Sequence, residues 1–197
     1  KVALARKVAT RDLHKVLSLI RERNALVRGA ILGTMLRNEI YDFIRIGTFI
    51  ERADNTARIL DVKYYVLLPS AAAVGSRLDN VQWDTILRSV SGEGGYRLTI
   101  GPDVTPMGIA QFLILDKRMP RSLNFCCAKL RDNLNYLATD YALRLPCHQQ
   151  ADTLCRRFMT HDVAAIFDYG LHEYVQEVLG HLGKLSHQIE IDYRFYG

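Results

Sequence analysis

The sequence predicts an all-α, multi-helix bundle. Apolar residues recur at helical spacing along nearly the whole chain of 197 residues, and period-two alternation is almost missing. Gly29 and Gly33, Pro69 and the glycines at 92–95 punctuate the helical stretches. The hydrophobic share of 49 % is ordinary for a globular protein, and the length suits one helical domain spanning residues 1–197. A long central helix over about residues 35–68 and a long C-terminal helix over about 170–194 set the predicted frame.

The first helix is expected over about residues 3–28, where Ala9, Leu13, Val16, Leu17, Ile20 and Val27 share a face, with Gly29 and Gly33 punctuating its end. The central helix follows from about Met35 to Leu68. It stops at Pro69, which lacks a donor and disfavours helix in the residue before it. At roughly 1.5 Å per residue this helix would run to about 50 Å. Residues 70–78 read as a loop, and Asp79 as the cap of a helix carrying Trp83, Ile86, Leu87 and Val90 inward. The run Ser91-Gly92-Glu93-Gly94-Gly95 reads as the turn that ends it.

Thr105 followed by Pro106 is an N-cap with proline in the first turn, placing Ile109, Phe112 and Leu113 on an inner face. Pro120 is expected to open the next helix in the same way. On that helix Cys126 and Cys127 share a face with Leu123, Leu130, Leu134 and Leu137. After a loop near residues 144–146, short helices are expected over about 151–160 and 163–169. The last helix has the cleanest spacing, with Leu171, Tyr174, Val175, Val178, Leu179, Leu182, Leu185 and Ile189 in register, and is expected to pack along the central helix.

The central helix carries more charge than a core helix ordinarily holds. Ile46, Phe49, Ile50, Ala53, Ala57, Leu60 and Tyr64 form an apolar stripe, and Glu51, Asp54, Arg58 and Asp61 form a second stripe beside it. That position predicts a polar seam of the bundle. The stripe would be either a buried ionic network or a ligand site, since closed seams shift the charge states of their groups in both cases.

Other chemistries find less support. Asp168, His172 and Glu173 could join Glu51 or Asp54 around a metal, but the Glu-x-x-His spacing of carboxylate-bridged bundles is absent, and Gln176 breaks the His-Glu-x-x-His pattern. No metal and no cofactor are therefore expected. The serines at 89, 91 and 122 stand in no Gly-x-Ser-x-Gly elbow, and Cys147-His148 is a pair of sequence neighbours. The glycines at 92–95 lack the Gly-Lys-Ser/Thr ending of a phosphate loop.

Net charge is +5, and the first 28 residues hold eight basic residues against Asp12 and Glu22. No aromatic residue interleaves with those charges, so nucleic-acid binding is not expected. The apolar runs are far shorter than the roughly 20 residues needed to cross a bilayer. Four cysteines without Cys-x-x-Cys spacing argue against a disulfide framework or zinc knuckle and for the cytoplasm. The chain opens at Lys1 without a methionine or a secretory pattern, which suggests a piece of a longer protein.

Several strings carry a family resemblance as a set. They are Thr34-Met35-Leu36-Arg37-Asn38-Glu39, then Glu51-Arg52-Ala53-Asp54-Asn55-Thr56-Ala57-Arg58, and Asp61-Val62-Lys63-Tyr64. Downstream come Gln82-Trp83, Leu87-Arg88-Ser89-Val90-Ser91, Phe112-Leu113-Ile114-Leu115-Asp116, Pro120-Arg121-Ser122 and Gly170-Leu171-His172-Glu173. In this order and spacing the chain resembles the bacterial alpha-E proteins, specifically their C-terminal two-thirds. Met119 stands where the family often has an aromatic residue, and a related N-terminal Glu-Arg-Ala motif is missing.

The resemblance implies an all-helical fold and an association with ATP-grasp-type ligases, transglutaminase-like proteins and amidohydrolase-like proteins. The expected role is an accessory or substrate-presenting subunit of a system that forms or modifies peptide or amide bonds, with a homo-oligomer possible. An enzyme of that system and a structural interaction module are the alternatives. The binding residues would be Glu51, Arg52, Asp54, Arg58, Asp61, Lys63, Arg88, Arg121, His172 and Glu173, with arginines gripping carboxylates in forked pairs.

Overall fold

A computed structural model describes residues 12–65 and 77–195, with side chains except at 63–65 and 77–80. Among the described residues the regular structure is entirely helical, as the apolar spacing predicts, and no helix is long and apolar enough to cross a membrane. The chain divides into two compact units, Lys1–Tyr41 and Asp42–Gly197.

The first unit holds α1 (Leu13–Thr34) and the opening of α2 (Glu39–Tyr65). Helix α1 runs straight through Gly29 and Gly33, which do not end it as expected. Its end is instead closed by Arg37, whose guanidinium donates to the Leu32 carbonyl at 2.5 Å and lies 4.0 Å from the Tyr41 ring. That supplies cationic partners for carbonyls left open at a helix C-terminus. The predicted start of this helix near residue 3 lies outside the described residues.

In the second unit α2 lays Ile46, Phe49, Ala53, Ala57 and Leu60 into the core, each 3 % exposed or less. Thr56 joins them, its hydroxyl donating 2.8 Å to the Arg121 carbonyl. The predicted stop at Pro69 and the loop after it lie outside the described residues. Helix α3 (Arg77–Ser89) starts two residues before Asp79, so that residue lies within the helix rather than at its cap.

The glycine run does more than end α3. Gly92 is the N-cap of a further helix, α4 (Glu93–Thr99), which takes Gly94 and Gly95 into its first turn. The reason is tertiary: a Cβ on Gly92 would stand 3.2 Å from the Phe112 ring, and one on Gly95 only 3.1 Å from it. The missing side chains let the buried Phe112 and Tyr96 rings meet edge to face at 5.7 Å.

Thr105 caps α5 (Pro106–Ala110) as expected, its hydroxyl accepting from the Gly108 N–H at 3.0 Å. The chain then widens into a π-helical turn over Gln111–Leu115, which buries Phe112, Leu113 and Ile114 together. Pro120 does not open the next helix. The cap of α6 (Leu123–Asp140) is Ser122, which accepts from Phe125 N–H at 3.0 Å and donates to the Asp116 carbonyl. Asp116 in turn accepts from the N–H groups of Arg118 and Met119 at 2.7 Å each, an Asx turn that pulls Pro120 out of helical register.

Helix α7 (Pro146–Thr160) begins about five residues earlier than expected, with proline in its first turn. It packs between α6 and the last helix, α9 (Leu171–Asp192). Gly170, at φ 111°, ends α8 (Val163–Tyr169) and starts α9 at the same residue, with the Glu173 side chain folded back where a Cβ would sit. The predicted α9 register holds: Leu171, Tyr174, Val175, Val178, Leu182, Leu185 and Ile189 are all buried, and Leu179 packs partly buried against them. Side chains also join α9 to α2, through Phe43 against Tyr193 at one end and Asp61 against His172 at the other.

Candidate functional site

The first part of the charged stripe of α2 faces outward. Glu51 and Arg58 are exposed and Asp54 is half-buried, so this part of the predicted closed seam is an open edge. The Asp54–Arg58 pair is forked, with Arg58 Nε 2.7 Å from Oδ2 and a terminal nitrogen 3.1 Å from Oδ1. Its partners stand one helical turn apart, the geometry in which ion pairs form without tertiary help. Hydrogen bonding to Asp54 and its charge, with Asp61 further along, hold the Arg58 guanidinium above its ordinary pKa. Glu51 accepts from the Asn55 amide at 3.4 Å, again within the helix.

Asp61 is a different case. Its side chain is only 18 % exposed, and it receives two long-range contacts from α9: His172 Nδ1 at 2.6 Å and the Gln176 amide at 2.8 Å. Gln176, the residue that breaks the metal-binding pattern, is thus one of the two groups that hold Asp61. Among the described residues no group of three or more His, Cys, Asp or Glu side chains is arranged to hold a metal ion.

The remaining candidates do not gather around one point. Arg52 is half-buried, its guanidinium 5.8 Å from the Phe49 ring. Arg52 and Arg121 both lie close enough to the Cys126 thiol to oppose its upward shift, but burial dominates and pushes that thiol up to about 12. Arg88 pairs with Asp84 at 2.8 Å and Glu93 at 3.4 Å, joining α3 to the start of α4. Glu173 is exposed and lies over Gly170. The Lys63 side chain lies outside the described residues. The structure therefore brings Asp54, Arg58, Asp61 and His172 into one strip along α2 and leaves Arg88 with partners of its own.

The cysteines behave as core residues. All four are free and buried, and burial raises each thiol, that of Cys155 to about 11. Cys147 and His148 touch, but their other contacts work against a nucleophile and base. His148 Nδ1 accepts from the Leu145 N–H at 2.9 Å, leaving Nε2 to donate to the Leu134 carbonyl at 2.9 Å. Cys147 Sγ also lies 3.6 Å from His148 Nδ1, but that nitrogen already accepts from Leu145, and burial raises the thiol, which disfavours the thiolate.

Two polar groupings escaped the sequence reading. Glu177 accepts from both Tyr169 and Arg157, which together hold its carboxyl below the ordinary range, with Arg157 also 5.3 Å from the Tyr174 ring. Arg131, Arg144 and Arg156 line one cavity between α6 and α7. Their spacing of 13 and 12 residues, on three different elements, offers no periodic signal that could have linked them.

A family model described as a predicted alpha-helical domain with a conserved ER motif matches residues 2–193. No curated protein matches the chain, and no solved structure does. In this chain Glu51 stands exposed in the charged stripe, while the next residue, Arg52, is half-buried beside Phe49 and Cys126.

Proposed function

The chain belongs to the Alpha-E family, and from that premise we propose that it is a helical accessory subunit that presents a charged edge to a partner or substrate. Its system would be one that forms or modifies peptide or amide bonds around an ATP-grasp-type ligase, with transglutaminase-like proteins as further partners. The observation that carries this reading is the division of labour on α2. One face supplies the core through Ile46, Phe49, Ala53, Ala57 and Leu60, while Glu51, Asp54 and Arg58 sit at the solvent edge.

A solvent-exposed ion pair within one helix adds little to folding, so stability does not explain this cluster. Recognition does, because a guanidinium and two carboxylates on a rigid helix can meet the charged termini of a peptide or the complementary side chains of a partner loop. A structural role is favoured at one place on the same stripe, where Asp61 is drawn from the edge into contact with His172 and Gln176.

The test joins folding to binding. The chain would be purified with an ATP-grasp-type ligase from the same genome, and ATP-dependent ligation of amino acids measured with and without it. The double substitution Glu51→Gln with Arg58→Ala should leave the melting temperature unchanged while abolishing co-purification and the stimulation of ligation. Undiminished co-purification by the double variant would overturn the reading, as would a ligase indifferent to the presence of this chain.

A further inference from the structure

The groove between α6 and α7 holds positive charge that the protein does not neutralise. Arg131 of α6, Arg144 of the connecting loop and Arg156 of α7 line a cavity of about 750 Å³. Asp152 is the carboxylate among the lining side chains, so three guanidinium groups against one acid leave a surplus of two charges. Like charges brought together repel unless a counter-charge joins them.

The three arginines differ in how far their donors are used. Arg144 is positioned by Asn135 at 3.0 Å and by Asp152 at 3.1 Å, and Arg156 reaches Thr153 at 3.3 Å. The Arg131 guanidinium makes no hydrogen bond or ion pair with any described residue, although its charge is felt at the Cys155 thiol. The backbone at the mouth is already served. Pro146 has no N–H, and the Cys147 N–H goes to Asp192 Oδ2 at 2.7 Å. What the groove offers a ligand is therefore guanidinium donors, the groups best matched to planar or tetrahedral oxyanions.

Arg131 also belongs to the wall of a second, smaller pocket of about 240 Å³, with Phe125, Ala128 and Met159 on its apolar side and Lys117 and Asn124 as its other polar groups. A charged compartment and a mainly apolar one thus meet at Arg131. Small-molecule sites commonly combine the two in this way, with apolar walls providing burial and a few polar groups fixing orientation.

We propose that this groove binds a doubly charged oxyanion carrying a small apolar group. The head lies between Arg131, Arg144 and Arg156, and the apolar group lies over Phe125 and Met159. The site is separate from the charged edge of α2 and does not depend on its role. The head could be a phosphate monoester or a dicarboxylate, which present the same charge in different shapes.

Calorimetric titration of the whole chain with phenyl phosphate, phenylsuccinate and inorganic phosphate tests the assignment and separates the two heads. One of the phenyl compounds should bind saturably at one site, about tenfold more tightly than inorganic phosphate, a gap of the size that burying a small apolar group provides. Arg131→Gln should weaken that binding at least about tenfold, the loss expected for a charge-assisted pair. Arg156→Gln, at an exposed position, tests the same site should the first variant fold poorly. Arg97→Gln, on α4, should change nothing. Failure of both phenyl compounds to saturate would overturn the proposal, and so would unchanged affinity in the folded groove variants or an equal loss in Arg97→Gln.

Discussion

Asp54 and Asp61 lie two turns apart on α2, yet they live under different physics. Asp54 meets Arg58 on its own helix, with side chains 37 % and 65 % exposed, and could make that contact in an isolated peptide. Asp61 meets His172 and Gln176 across more than a hundred residues of sequence, with the Asp61 and His172 side chains 18 % and 21 % exposed. Helical spacing places both acids on one stripe but does not distinguish a solvated pair from a tertiary tie. The stripe divides accordingly, one end serving the surface and the other the packing of α9.

The sharpest way to break this contrast is Asp61→Ala, which leaves the His172 and Gln176 groups without their shared acceptor. The expected loss is about 1–3 kcal/mol of unfolding free energy in urea titration. The buried thiols report the same opening. At pH 8 the global-unfolding component of Cys127 labelling should accelerate roughly 5- to 150-fold, the same range expressed as an equilibrium constant. Unchanged labelling and unchanged urea midpoint would remove the distinction between the two acids.

Asp61→Asn retains one acceptor oxygen and loses the charge, and should cost less, about 1 kcal/mol. A double-mutant cycle of Asp61→Asn with Gln176→Ala should then show coupling of about 0.5 kcal/mol or more, because the two residues touch. Additivity would mean that the contact contributes nothing of its own. Salt gives a milder contrast. At 1 M NaCl the Debye length is about 3 Å, so the solvated Asp54–Arg58 attraction should be screened while the Asp61 tie persists. The smallest effect belongs to Arg58→Ala, which should leave the melting temperature where it is.

The fold was largely legible because helices declare themselves by spacing. The α9 register and the Cys126–Cys127 core face follow from the periodicity of Leu, Val and Tyr, which tertiary packing merely confirms. The misread points share a cause. Gly92 and Gly95 look like a turn in sequence, but they are small to admit Phe112, a residue on a different element. Pro120 looks like a helix opener until Asp116 draws its neighbours into an Asx turn, leaving Ser122 as the cap.

The candidate site was legible to a smaller degree. Glu51, Asp54, Arg58 and Asp61 could be placed on one stripe from spacing alone, whereas their depth depends on which helices cover them. The cavity arginines were out of reach for the same reason, since only the α6–α7 packing brings residues 131, 144 and 156 together.

The Cys147 N–H donates to Asp192 across 45 residues and ties the first turn of α7 to the last of α9, with the Gln188 amide donating to the other Asp192 oxygen at 2.7 Å. On a ribosome, the start of α7 emerges well before the acid that completes it. At about 5–20 residues per second the wait is roughly 2 to 9 s, during which the nascent helix keeps an open N-terminal donor. The order of synthesis therefore makes the closing turn of α9 a late latch, engaged only once the rest of this helical layer has left the tunnel.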